Sequence, residues 1–124
     1  MDKTIFCIDD TPQVLLLYKK ILEEQGYTVV LASSGFAGLE LLLRYPVDCF
    51  ILDYRMPQMD GADVIRHLAC RDAAPPVILV SGSDPPEELQ RQVEAFIHKP
   101  MGFDQLLECI EGVIGSTDEN KDFN

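Results

Sequence analysis

Three carboxylates, a hydroxyl and an amine stand at the ends of apolar runs in this sequence. Asp9 and Asp10 follow Thr4–Ile8, Asp53 follows Val47–Leu52, Ser81 follows Val77–Val80, and Lys99 follows Ala95–His98. Taken singly, each has a plain reading: a strand-end Asp caps a helix, a Ser turns the chain, and a Lys is a solvated charge. Gathered in one crevice they pose an electrostatic problem. Two carboxylates about 4 Å apart repel by about 1 kcal/mol at the dielectric of water and about 4 kcal/mol near a protein surface. A raised pKa, a nearby Lys or a bound divalent cation would each offset that repulsion. An all-oxygen ligand set with open positions suits a hard cation, Mg²⁺ best.

Whether these groups meet depends on the elements that carry them. After Thr4–Ile8, Thr11–Pro12 reads as an N-cap followed by proline at the first helical position. Val14, Leu15, Leu17, Tyr18, Ile21 and Leu22 then recur at helical spacing until Gly26. Tyr27–Ala32 is a second strand. Ser33–Gly35 opens a helix with Leu39, Leu42 and Leu43 on one face, ended by Pro46. Val47–Leu52 is nearly all apolar, as a strand covered on both faces should be. Asp60 caps a helix through Cys70, and Pro75–Pro76 precedes the fourth strand. Ser83–Pro86 leads into a short acidic helix, Glu87–Gln92. After the fifth strand, a helix over Gly102–Gly115 turns Phe103, Leu106, Leu107, Ile110, Val113 and Ile114 inward. Parallel strands need crossover connections, so five βα units in succession predict an α/β fold. The expected architecture is a flavodoxin-like, doubly wound, five-stranded parallel sheet of order 2-1-3-4-5 with helices on both faces. The first and third strands are then neighbours, and Asp9, Asp10 and Asp53 crowd one pocket outside their carboxyl ends.

Composition bounds the functions. The 124 residues carry 10 Lys and Arg against 21 Asp and Glu, a formal net charge of −11. The basic residues are scattered, so no face is set to neutralise a phosphate backbone, and direct nucleic-acid binding by this chain is not expected. No run reaches the roughly 18 apolar residues of a membrane span, and the N-terminus has no signal-like apolar region. Cys7, Cys49, Cys70 and Cys109 form no C-x-x-C pair and have no His at ligand spacing, which reads as reduced thiols in a cytoplasmic protein. His67 and His98 read as surface residues.

At this point the sequence resembles the receiver domain of bacterial two-component response regulators. The resemblance rests on Asp9–Asp10, on the stretch from Asp53 through Met56, Pro57, Met59 and Asp60 to Gly61, on Ser81–Gly82, and on Lys99–Pro100. It covers about residues 3–114, within a receiver domain over 1–115; the polar stretch 116–124 reads as a disordered tail. The resemblance implies that Asp53 accepts a phosphoryl group from a phosphohistidine on a sensor histidine kinase or histidine phosphotransfer protein. It implies that Asp9, Asp10, Asp53 and the main-chain carbonyl of Arg55 hold Mg²⁺. Ser81 would bond a phosphoryl oxygen, Lys99 would pair with another, and Lys99–Pro100 would be a cis bond. Phe96 falls at the position of the aromatic ring that moves when Ser81 does.

Two features depart from the family pattern. Ser81 and Lys99 are 18 positions apart (81 to 99), several fewer than usual, so the fourth helix or its following loop should be short. Phe96 replaces a frequent Tyr, leaving no hydroxyl to report the switch. A Mg²⁺-dependent phosphatase is the enzymatic alternative, but it would need a second acid two residues after the nucleophile, and position 55 is Arg. The expected chemistry is therefore self-phosphorylation and autodephosphorylation at Asp53 only. Output would be contact with a protein effector, through the last helix and the start of the first more than through the fourth. A homodimer, a stand-alone receiver and a piece of a longer chain all stay open.

Overall fold

The computed structural model describes residues 3–71 and 74–115; the tail expected over 116–124 lies outside them. The strands are β1 (Thr4–Ile8), β2 (Thr28–Ala32), β3 (Cys49–Asp53), β4 (Val77–Ser81) and β5 (Ala95–His98). The helices are α1 (Pro12–Glu24), α2 (Gly35–Leu42), α3 (Gly61–Ala69), α4 (Glu87–Gln90) and α5 (Phe103–Ile114). All strand pairs are parallel, in the order β2-β1-β3-β4-β5, as the alternating pattern predicts.

The period-2 alternation of the strands sorts the core into two layers. Phe6, Ile8, Phe50, Leu52 and Leu79 face α2 and α3, with Leu42, Val64, Ile65, Leu68 and Leu89 completing that layer. Ile5, Cys7, Cys49, Ile51, Ile78, Val80 and Ile97 face α1 and α5, where Leu15, Tyr18, Leu22, Leu106 and Ile110 meet them. β3 and β4 are buried at every residue, which is why their sequences read as continuous apolar runs. Cys7 and Cys49 are packed in this core, and all four thiols are free.

Several boundaries differ from the sequence expectation. α2 ends at Leu42, before Pro46, and Leu43 is its C-cap at 76% exposure, not an inward residue. A helical step of about 100° past Leu42 turns Leu43 off the core stripe. β3 begins at Cys49, two residues later than expected, and α4 stops at Gln90. Asp53 and Ser81 are the last residues of their strands, not the first beyond them. On α5, Leu106 and Ile110 are buried, while Phe103, Leu107, Val113 and Ile114 only pack against the core edge. Thr11 occupies the N-cap of α1, but its hydroxyl makes no capping bond.

Two glycines separate steric need from tolerance. A Cβ on Gly61 would lie 2.9 Å from Tyr54 Cα and 3.1 Å from the Asp53 carbonyl oxygen, both rigid backbone, so α3 can start beside Asp53 only with glycine there. Gly112 in α5 has open space around that position. Gly61→Ala should lower stability by about 1–3 kcal/mol, and Gly112→Ala should raise it by about 0.5–1 kcal/mol. Urea unfolding midpoints moving in the same direction for both variants would contradict this packing.

Candidate functional site

The site is assembled at the carboxyl ends of β1, β3, β4 and β5. Asp9 is fixed from two sides. Its N–H donates to the Ala32 carbonyl at 3.1 Å, and its Oδ1 accepts the Thr11 N–H at 2.9 Å, at the entry to α1. Asp53 is held through the residue that follows it: Tyr54 N–H donates to Val80 O at 3.0 Å, and Gly61 N–H donates to Tyr54 O at 2.8 Å. Asp60 closes the start of α3 with a capping box, accepting from Asp63 N–H while Asp63 accepts from Asp60 N–H. Lys99 is aligned by its N–H, which donates to the Ser81 carbonyl at 2.7 Å. The Lys99–Pro100 peptide bond is cis.

These anchors bring the expected carboxylates together. One oxygen from each of Asp9, Asp10 and Asp53 lies within 4.8 Å of the other two. Lys99 Nζ stands 3.4 Å from Asp53 Oδ1 and 3.9 Å from Asp9 Oδ2. Asp9 and Asp53 are buried, whereas Asp10 is exposed. Burial is the main force pushing the Asp53 carboxyl up to about 6; the Asp9 charge adds to it, and Lys99 works against it. Asp9 is also raised, again chiefly by burial, with the Thr11 N–H and Lys99 opposing. One ammonium therefore only partly offsets the cluster. The buried Asp9 Oδ2 has no hydrogen-bond partner among the described residues. A buried acceptor without a hydrogen bond beside two further carboxylates is a donor set that fits a hard divalent cation.

The other expected residues surround this cluster. Arg55 lies in the loop two residues past Asp53, with its side chain exposed, and could offer a metal only its main-chain carbonyl. Ser81 is fully buried, and Phe96 is half-buried on β5, opposite Leu79 in the register. Phe96 meets the His98 ring edge-on at 6.1 Å. Two residues escaped the sequence reading. Ser83 folds back on Ser81, its N–H donating to Ser81 Oγ at 3.0 Å. His98 is exposed, as expected, yet its Nδ1 lies 2.7 Å from the Lys99 carbonyl and its Nε2 3.6 Å from Asp84 Oδ1. The Ser-x-Ser spacing of a side-chain turn was the available signal for the first. The second had none, because the loop after β4 must fold before Asp84 and His98 can meet.

A family model described as the response regulator receiver domain matches residues 5–111, and the chain belongs to that family. Among curated proteins it is 32% identical over 113 residues to the transcriptional regulatory protein KdpE of Mycobacterium tuberculosis, covering 89% of this chain and 50% of that protein. It is 35% identical over 114 residues to the transcriptional regulatory protein GlrR of Escherichia coli, covering 89% of this chain and 26% of that protein. The chain thus spans half or less of these relatives' lengths. Among solved structures, the response regulator TrrA of Thermotoga maritima, crystallised with Mg²⁺ and BeF, superposes with a TM-score of 0.82 at 26% identity, covering 90% of this chain and 98% of that one. Phosphoryl-accepting two-component signalling is the business of this family.

The strain of the acid cluster has a measurable consequence. Asp53 ionises near its ordinary range in the unfolded chain but only at about 6 in the folded, metal-free protein. Its cost to folding is absent below the unfolded pKa, grows as pH rises between the two values, and is complete above about 6. Asp53→Asn should therefore stabilise the metal-free protein by about 1–3 kcal/mol at pH 7.5 and by little at pH 3.5. Thermal melts of both proteins at the two pH values check this; a variant no more stable than the parent at pH 7.5 would contradict it.

Proposed function

We propose that this chain is a phospho-switch in which Asp53 accepts a phosphoryl group from a phosphohistidine of a sensor histidine kinase or histidine phosphotransfer protein. The observation that carries this is Lys99 Nζ at 3.4 Å from Asp53 Oδ1, within the cluster of three converging carboxylates. The free Asp53 carboxylate oxygen attacks phosphorus, and the bond from phosphorus to the imidazole nitrogen breaks, leaving an acyl phosphate and a neutral histidine after proton uptake. Phosphoryl transfer has a loose transition state, so the chain mainly positions groups and balances charge. Asp9, Asp10, Asp53 and the Arg55 carbonyl would hold Mg²⁺, which would supply positive charge against the charge developing on the phosphoryl group. Lys99 pairs with a second phosphoryl oxygen, and the Ser81 hydroxyl donates to a third.

The chain turns over no separate substrate in this reading: its chemistry is self-phosphorylation and autodephosphorylation at Asp53. Phosphorylation adds about −1.5 to −2 charge, enough to draw Ser81 inward and let Phe96 follow. The changed surface would engage a protein effector rather than nucleic acid. A groove of about 490 Å³ between α1 and the β5–α5 connection, lined by Val14, Leu17, Tyr18, Met101 and Phe103 beside Lys99, supports protein contact at α1 and α5. The four-residue α4 offers less surface. No helix among the described residues is long and apolar enough to cross a membrane, which accords with a cytoplasmic location.

Intact-mass measurement after incubation with acetyl phosphate and Mg²⁺ tests the reading. The wild type should gain about 80 Da, the mass of one phosphoryl group on a carboxylate. Asp53→Asn, or chelation of the metal, should abolish the gain. Labelling of Asp53→Asn at the wild-type rate would overturn the assignment.

A further inference from the structure

Ser81 carries a hydroxyl with one proton to give and two lone pairs to offer. One lone pair already takes the Ser83 N–H, at 3.0 Å. Ser81 is fully buried, so its proton needs an acceptor inside the protein. The hydroxyl oxygen beside it is Ser83 Oγ, at 3.4 Å. Ser83 is only half-buried, and its own proton can go to water. Either oxygen could donate across this contact, and the assignment that satisfies the buried proton has Ser81 donating and Ser83 accepting. A phosphoryl group on Asp53 presents only acceptor oxygens, so it competes for that same Ser81 proton.

We propose that Ser83 is a positioning residue for Ser81: its side-chain hydroxyl holds the Ser81 proton away from Asp53 in the resting protein and sets how readily the site is engaged. This rests on the phosphoacceptor reading above. The Ser83 main-chain N–H bond to Ser81 Oγ can persist in both states, because it uses a lone pair and not the proton. Only the side-chain contact must break when Ser81 turns its O–H to a phosphoryl oxygen. The contact is long for an O–H···O bond, so it is a weak restraint that biases the equilibrium rather than locking it. Asp84, the next residue, places its Oδ1 3.6 Å from Nε2 of the exposed His98, the register partner of Ser81.

The test uses beryllofluoride with Mg²⁺ as the phosphoryl mimic, titrated into the full chain and followed by amide NMR shifts. Ser83→Ala removes the competing acceptor and keeps the main-chain bond, so it should bind the mimic roughly two- to tenfold more tightly than wild type, the range for losing one competing hydrogen bond. Ser83→Thr keeps a hydroxyl and should stay near the wild-type affinity. A general loosening of the loop would move both variants together. Binding by Ser83→Ala that is unchanged or weaker, while the wild type binds, overturns the role of Ser83 alone. A wild type that takes up no beryllofluoride overturns the phosphoacceptor reading, and the Ser83 role falls with it. Alanine and threonine variants that tighten equally would also overturn the proposal, because the hydroxyl would not be the cause.

Discussion

The contact between Lys99 and the buried acids organises this molecule. Asp9 and Asp53 are taken out of water beside a third carboxylate, and one ammonium stands 3.4 and 3.9 Å from them. Burial dominates the balance, which is why the Asp53 carboxyl rises to about 6 despite the lysine. A core built for stability alone would not place these charges together, since an uncompensated buried charge is costly. The arrangement makes sense as a receptacle waiting for positive charge and then for a phosphoryl group.

The fold exists around that receptacle in a concrete way. Parallel pairing puts every strand's carboxyl end on one side, and the order β2-β1-β3-β4-β5 sets Asp9 and Asp53 on adjacent strands. The β4–β5 register sets Ser81 opposite His98 and so delivers Lys99 just beyond. Gly61 lets α3 begin against the Asp53 backbone, and the Asp60–Asp63 capping box fixes that start. Phe96 packs against the layer that holds Leu89 of α4.

Much of this was legible in the sequence because each signal was local. The apolar runs with an acid, hydroxyl or amine at the end marked the strands and their chemistry, and the 18-position interval from Ser81 to Lys99 foretold a short segment there, although α4 ends at Gln90 rather than at the expected Gln92. The convergence of Asp9, Asp10 and Asp53 followed from topology alone. What stayed hidden depended on relations between elements. Leu43 fits a helical stripe on paper, but α2 ends one residue earlier and the side chain points to water. Ser83 and His98 look like ordinary loop and surface residues until the loop after β4 folds back across the strand ends. Burial of the carboxylates, and hence the shift at Asp53, required the packed layers and could not be read from spacing.

In the proposed phospho-switch, occupation of the acid site is felt through Ser81 at the β4–α4 loop and at Phe96. Amide shift mapping of the full chain, with and without beryllofluoride and Mg²⁺, tests it most directly. Coupling through the loop predicts shifts that run from Asp53 through residues 81–88 to Phe96. Shifts confined to Asp9, Asp10 and Asp53, with residues 81–88 and Phe96 unmoved, would contradict it.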